Sequence, residues 1–143
     1  MKGGFNVPFG RYKRPYFPEA EMLYFHQKSQ SATFQHGDFR DVMESCVLND
    51  VVYCDPPYVP LSQTANFTGY SSGGFSWDEQ KLLAEKAREL ASRNIPVVIS
   101  NHDTDFVREI YTTATFTEFY VQRYISCNGE NRAKAAELLA LFS

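Results

Sequence analysis

The chain has 143 residues, enough for one compact domain, and its 43% hydrophobic and 15% aromatic content excludes a disordered segment. A net charge of −3 gives no global support for nucleic-acid binding, and no apolar run approaches the roughly 18 residues of a membrane span. Cys46, Cys54 and Cys127 are odd in number and irregularly spaced, arguing against a disulfide framework, and the three histidines (His26, His36, His102) lack metal-ligand spacing. With no secretory pattern at the start, a reduced, cytoplasmic, metal-free protein is expected.

Residues 1–18 are extended and proline-punctuated, and hold Lys2, Arg11, Lys13 and Arg14 with no acid. Phe5, Phe9, Tyr12, Tyr16 and Phe17 are interleaved with these cations. Such a segment suits contact with phosphates and sugars, and equally an ordinary solvated basic strand. Pro18-Glu19-Ala20-Glu21 opens a helix to about Ser29, with proline in its first turn. Ala32 to Gln35 reads as a short strand. Gly37-Asp38-Phe39 then turns into a helix near Arg40 to Cys46.

Val51-Val52-Tyr53-Cys54 is a buried-type strand that stops at two prolines. The loop 59–75, rich in Ser, Thr, Asn and Gly, is long enough for a functional lid. Ser76 caps a helix from Trp77 to about Arg93, with Glu79 completing a capping box and Leu82, Leu83, Ala87 and Leu90 as its apolar stripe. Asn94 ends that helix, and Trp77 reads as a residue packing at its start. Pro96 to Ser100 is a second buried strand, Thr104 to Thr112 a short helix, and Phe116 to Ile125 a strand. Glu137 to Phe142 pairs with it antiparallel. The alternation implies an α/β fold.

Chemistry concentrates in Asp55-Pro56-Pro57-Tyr58, just beyond the carboxyl end of the 51–54 strand, where open α/β sheets bind ligands. Ionised Asp55 is acceptor-only, and neither proline has an N–H. Pro57 pushes Pro56 towards an extended conformation, which fixes the direction of its carbonyl. A carboxylate, a rigid carbonyl and an aromatic face suit a planar group carrying an NH₂, such as the exocyclic amine of adenine. Two acceptors taking its two hydrogens favour a pyramidal nitrogen whose lone pair is aimed at an electrophile. The bland alternative is a strand ending in an Asp-capped proline turn.

The tetrapeptide and its surroundings resemble the Dam-type (D12 class) DNA adenine-N6 methyltransferases. VVYCDPPYVPLSQTANFTGY (51–70) looks like their catalytic strand and loop, and PVVISNHDT (96–104) like the next strand and its exit. FNVPFGRYKRPYFPEAE (5–21) resembles the segment running from their DNA-recognition hairpin into the catalytic domain, and residues 123–142 resemble their last strand pair. The resemblance implies methyl transfer from S-adenosylmethionine to adenine N6 in duplex DNA, at GATC-type sites in similar enzymes, in a bacterial or phage-encoded cytoplasmic protein. Asp55, Pro56, Pro57 and Tyr58 would be catalytic. Asp38, Phe39 and Asp55 would contact the cofactor, although a helix cap is an equal reading of Asp38. Arg11, Lys13, Arg14, Ser62 and Asn66 would meet DNA, as would Thr64 and Phe67 on the same loop. His102 reads as a turn former rather than an acid–base group.

The sequence also departs from the family. Family members begin with a strand and a glycine-rich cofactor loop, but the available pairs here, Gly3-Gly4 and Gly73-Gly74, do not follow a hydrophobic strand and open a helix. The expectation is therefore a partial Rossmann-like S-adenosylmethionine-dependent methyltransferase sheet, lacking its N-terminal cofactor-loop strands and ending in a β-hairpin. Residues 1–18 would end a DNA-recognition segment, and 19–143 would form the C-terminal part of the catalytic domain. Met1 looks like a start placed inside the enzyme. Expected partners are double-stranded DNA, no membrane, and either the missing N-terminal half or a second copy. Rival readings are a non-catalytic remnant and an RNA or protein methyltransferase of the same superfamily. Enzymes acting on glutamine amides usually carry Asn at the Asp55 position, because an amide offers both donor and acceptor, whereas Asp suits the all-donor amine.

Overall fold

The computed structural model describes residues 16–60, 75–122 and 134–143. Its contacts divide the chain into two units, residues 1–36 and 37–143. The first holds α1 (Glu19–Ser29), with Pro18 at the N-cap, Glu19 and Glu21 in the first turn and His26 and Lys28 in the last. That charge order complements the helix dipole. The Tyr16 hydroxyl donates to the Glu21 carboxylate at 2.5 Å, and this bond raises the Tyr16 pKa and lowers that of Glu21. Met22, Leu23, Tyr24 and Phe25 are all exposed. The expected strand at 32–35 does not form. A strand needs a neighbour for its N–H and C=O groups, and among the described residues of this unit none is available.

The second unit is a mixed α/β domain built, among the described residues, on a four-stranded mixed sheet. Its elements are α2 (Phe39–Ser45), β1 (Val52–Cys54), α3 (Trp77–Ser92), β2 (Val97–His102), α4 (Asp105–Ile110), β3 (Thr115–Gln122) and β4 (Lys134–Phe142), with strand order β1-β2-β4-β3. β1 and β2 are parallel, Val52 opposite Val97 and Cys54 opposite Ile99. β4 runs antiparallel to both β2 and β3, with Ser100 opposite Leu139 and Phe116 opposite Ala140. The parallel pair needs a crossover, and α3 supplies it.

α3 has the expected ends. The Ser76 hydroxyl accepts from the Glu79 N–H at 3.2 Å while the Glu79 carboxylate accepts from the Ser76 N–H at 2.7 Å. At the far end Asn94 adopts φ 58°, Asn94 N–H reaches the Ala91 carbonyl at 2.9 Å, and Ile95 N–H reaches Leu90 at 3.0 Å. This is a Schellman stop, with Leu90 and Ile95 both in the core and Pro96 barring continuation. Leu83, Ala84, Ala87 and Leu90 of α3 pack on Val97 and Ile99 of β2, Leu138, Ala140 and Phe142 of β4, and Val107 and Tyr111. Leu82 is only half-buried, and the residue that completes the buried stripe is Gln80.

Thr104 caps α4 by accepting from the Val107 N–H at 3.2 Å. Arg108 on α4 pairs with Asp103 and Glu118, which ties the end of β2 to β3; the pairing lowers the Asp103 pKa. Trp77 stacks edge-on against Phe106 at 4.4 Å, the packing role expected of it. Among the described residues no helix is long and apolar enough to cross a membrane.

Candidate active site

β1 delivers Asp55 to the carboxyl edge of the sheet, and the last three residues of β2 receive the loop that follows. The Ser100 hydroxyl donates to Asp55 Oδ1 at 2.9 Å, lies 3.3 Å from the Cys54 carbonyl, and accepts from the Tyr53 hydroxyl at 3.2 Å. Asp55 is exposed, and its Oδ2 has no partner among the described residues. One carboxylate oxygen is thus anchored, and the other has no partner among the described residues. Cys54, just before it, is pushed up to about 11 by burial, so its thiol is not a nucleophile near neutral pH.

The prolines are held differently from each other. Pro57 presents its carbonyl to Gln80 Nε2 at 2.7 Å, whereas the carbonyl of buried Pro56 has no partner among the described residues. Tyr58 is half-buried, its ring in a T-shaped contact with His102 at 5.0 Å. Burial is the main cause of a raised Tyr58 pKa, opposed by the Ser100 hydroxyl and reinforced by the nearby Asp55 charge. The phenol therefore stays neutral at physiological pH. Val59 closes the loop: its N–H donates to Asn101 Oδ1 at 3.0 Å, and its carbonyl lies 2.6 Å from His102 Nδ1, which must carry the proton because a carbonyl can only accept.

His102 is consequently not a turn former. It is the last residue of β2, buried, and packed against the loop that carries Tyr58. Gln80, Ser100 and Asn101 are also buried, and Gln80 did not stand out in the sequence, whereas Ser100-Asn101-His102 did as the exit of the second strand. A signal for Gln80 was present, since it lies one turn before Leu83 on the apolar stripe, where an amide must find buried partners.

Asp38 and Phe39 lie at the start of α2. The Asp38 carboxylate accepts from Arg40 N–H at 2.9 Å and pairs with the Arg40 guanidinium at 2.6 Å, so it does serve as the helix cap. Phe39 packs on Phe75 at 5.5 Å with Arg40 across its ring. No bond joins these residues to the Asp55 loop among the described residues. Both groups converge on the start of α3, Arg40 through Glu79 at 3.4 Å and Pro57 through Gln80. Arg11, Lys13, Arg14, Ser62, Thr64, Asn66 and Phe67 fall outside the described residues.

A model of the D12 class N6 adenine-specific DNA methyltransferases matches residues 1–125. The chain belongs to that family. It is 54% identical over 142 residues to a DNA adenine methylase of Salmonella typhi, covering 99% of this chain and 51% of that protein. Against the DNA adenine methylase of Escherichia coli K12 the identity is 53%, with the same coverage. Against that of Vibrio cholerae O395 it is 50% over 143 residues, covering 52% of the relative. This D12-class chain therefore spans about half the length of the curated relatives it matches.

Proposed function

We infer that this chain forms the adenine-holding part of an adenine-N6 DNA methyltransferase site on a partial Rossmann-like sheet. The observation that carries the reading is the asymmetric loop. Among the described residues the second Asp55 oxygen and the Pro56 carbonyl have no partner, while the first Asp55 oxygen is tied to Ser100 and the Pro57 carbonyl to Gln80. Two acceptors without partners on consecutive residues match the two hydrogens of an aromatic amine. An adenine must leave the duplex to reach such a pocket, and the open part of the Tyr58 ring gives it a surface to stack on. Holding both hydrogens draws the nitrogen towards pyramidal geometry and directs its lone pair, and positioning of this kind supplies most of the rate when the methyl donor is already activated. The excess proton passes from the nitrogen to Asp55 and on to water, which reaches this exposed side chain.

S-adenosylmethionine supplies an electrophilic methyl when bound. The residues of this chain that would meet its adenine are Asp38 and Phe39. Asp38 retains lone pairs beyond those given to Arg40, and Phe39 is only half-buried, so the pair fits that contact. The test of the reading is isothermal titration of the methylating form of the protein with S-adenosylmethionine, alone and with an adenine oligonucleotide, since a chain lacking the cofactor-loop strands is not expected to bind it tightly by itself. Binding that weakens on Phe39→Ala is expected, and binding indifferent to both Phe39→Ala and Asp38→Ala would contradict these assignments.

Two further results are expected. Replacing Arg11, Lys13 and Arg14 together with Gln should weaken duplex binding at every sequence, each lost phosphate contact lowering the log–log salt slope by roughly 0.9. An unchanged slope would mean the segment faces away from DNA. The second concerns association. β1 pairs with β2 along one edge, no strand covers its other edge among the described residues, and Val51 just before it and Tyr53 within it are 72% and 63% exposed. Such an edge invites another chain, and a second copy is one that fits it. Light scattering should show mass rising with concentration, and a constant monomer mass would contradict this.

A further inference from the structure

The two proline rings restrict the loop but leave ψ of Pro57 to be set, and the structure contains a buried device able to set it. Asn101 is fully buried at the end of β2. Its Oδ1 accepts from two backbone donors, Val59 N–H at 3.0 Å and His102 N–H at 2.9 Å. Two fixed donors leave the amide no freedom to flip, so Nδ2 must point the other way, where it donates to Gln80 Oε1 and to the Tyr111 hydroxyl, each at 3.2 Å. Tyr111 is itself pushed up to about 12 by burial and stays a neutral phenol. Because Gln80 Oε1 faces Asn101, Gln80 Nε2 must face the loop, and it donates to the Pro57 carbonyl at 2.7 Å.

The consequence for Pro56 follows from backbone geometry. Peptide units are planar, so only φ and ψ of Pro57 separate the Pro56 carbonyl from the Pro57 carbonyl. The pyrrolidine ring locks φ, and the Gln80 bond pins ψ by holding the Pro57 oxygen. The Pro56 carbonyl then has one direction available. On the far side of Tyr58, Asn101 and His102 hold both backbone polar groups of Val59. Tyr58 is therefore suspended between two fixed peptide planes.

We propose that Gln80 and Asn101 are positioning residues for the adenine site: an amide relay that sets the directions of the Pro56 carbonyl and the Tyr58 ring. It rests on the reading of the Asp55 loop given above. Neither side chain touches the base; they act through the loop backbone. A purely apolar residue at position 80 would fill the same space on the α3 stripe, so the fold itself does not require the amide.

The test compares Gln80→Met, Gln80→Glu and Asp55→Ala in the form of the protein that methylates DNA. In Gln80→Met, which keeps length and removes the donor, kcat should fall roughly tenfold to a hundredfold while KM for DNA stays within about threefold. In the chain itself, amide hydrogen exchange at Tyr58 and Val59 should accelerate while core amides of β2 are unaffected. Gln80→Glu adds a pH signature: ionised, its carboxylate can only repel the Pro57 carbonyl, but protonated it donates as Gln80 does. Its kcat relative to wild type should therefore rise as pH falls. Wild-type kcat and unchanged exchange in Gln80→Met, or a Gln80→Glu ratio flat with pH, would overturn the relay while leaving the Asp55 reading intact if Asp55→Ala is inactive. An active Asp55→Ala would overturn both. Should Gln80→Met fail to fold, the pH dependence of Gln80→Glu decides alone.

Discussion

Asp55→Ala is expected to reduce methyl transfer by a factor of about 10²–10³ or more, in the range seen when a preorganised polar contact to the reacting centre is removed. Duplex binding should stay near normal, because Asp55 contributes little to phosphate contact and acts on an amine only once the base is in place. The loss should therefore appear in kcat rather than in the affinity for DNA. The structural reason is that Ser100 anchors one oxygen of an exposed carboxylate whose other oxygen has no partner among the described residues. Alanine removes both the acceptor for the amine and the group that takes up its proton. Retention of more than about a tenth of the wild-type rate, a deficit under ~1.4 kcal/mol, would show that the carboxylate is not at the reacting nitrogen. Single-turnover rates, which exclude product release, are the appropriate measurement.

Tyr58 should divide by the part of the side chain removed. Stacking of a base on an aromatic ring is worth about 1–3 kcal/mol, so Tyr58→Ala should cost roughly fivefold to more than a hundredfold. Tyr58→Phe should be mild, since the ring and its edge contact with His102 persist. The phenol is neutral and its pKa is raised by burial, so it is poorly suited to act as a base at physiological pH. Fluorescence of 2-aminopurine placed at the target adenine, read beside the rates, reports whether the base still stacks. Equal losses for the two variants would assign the chemistry to the hydroxyl instead.

Much of this fold could be read from local sequence signals. The capping box of Ser76 and Glu79, the stop at Asn94 and the proline after it are short-range features, and the structure reproduces them. The same holds for the helix opened by Pro18-Glu19-Ala20-Glu21 and ending at Ser29, and for the antiparallel pairing of β3 with β4. Ala32 to Gln35 looked like a strand because β-type residues were present, but a strand is a pairing and propensity carries no information about the neighbour. The site was legible only in part for a related reason. Asp55 to Tyr58 announces itself through its two prolines, whose rings lock φ and favour an extended Pro56, while ψ of Pro57 is left to tertiary contacts. Gln80 and Asn101 belong to a different class. Their roles depend on which buried groups face one another across a crossover of more than twenty positions, and period alone records only that one face of α3 is buried. His102 was misread because a polar residue before Asp-Thr suggests a turn, whereas pairing with Glu137 on β4 extends β2 through it.

The whole account turns on whether an exocyclic adenine amine is the group held at the Asp55 loop. The most direct measurement is mass spectrometry of the nucleosides released from duplex DNA after incubation with S-adenosylmethionine and the methylating form of this protein, wild type beside Asp55→Ala. The account predicts N6-methyladenine as the one new nucleoside with wild type and its loss with Asp55→Ala. A methyl group on a different base, or N6-methyladenine formed equally well without the Asp55 carboxylate, would contradict it.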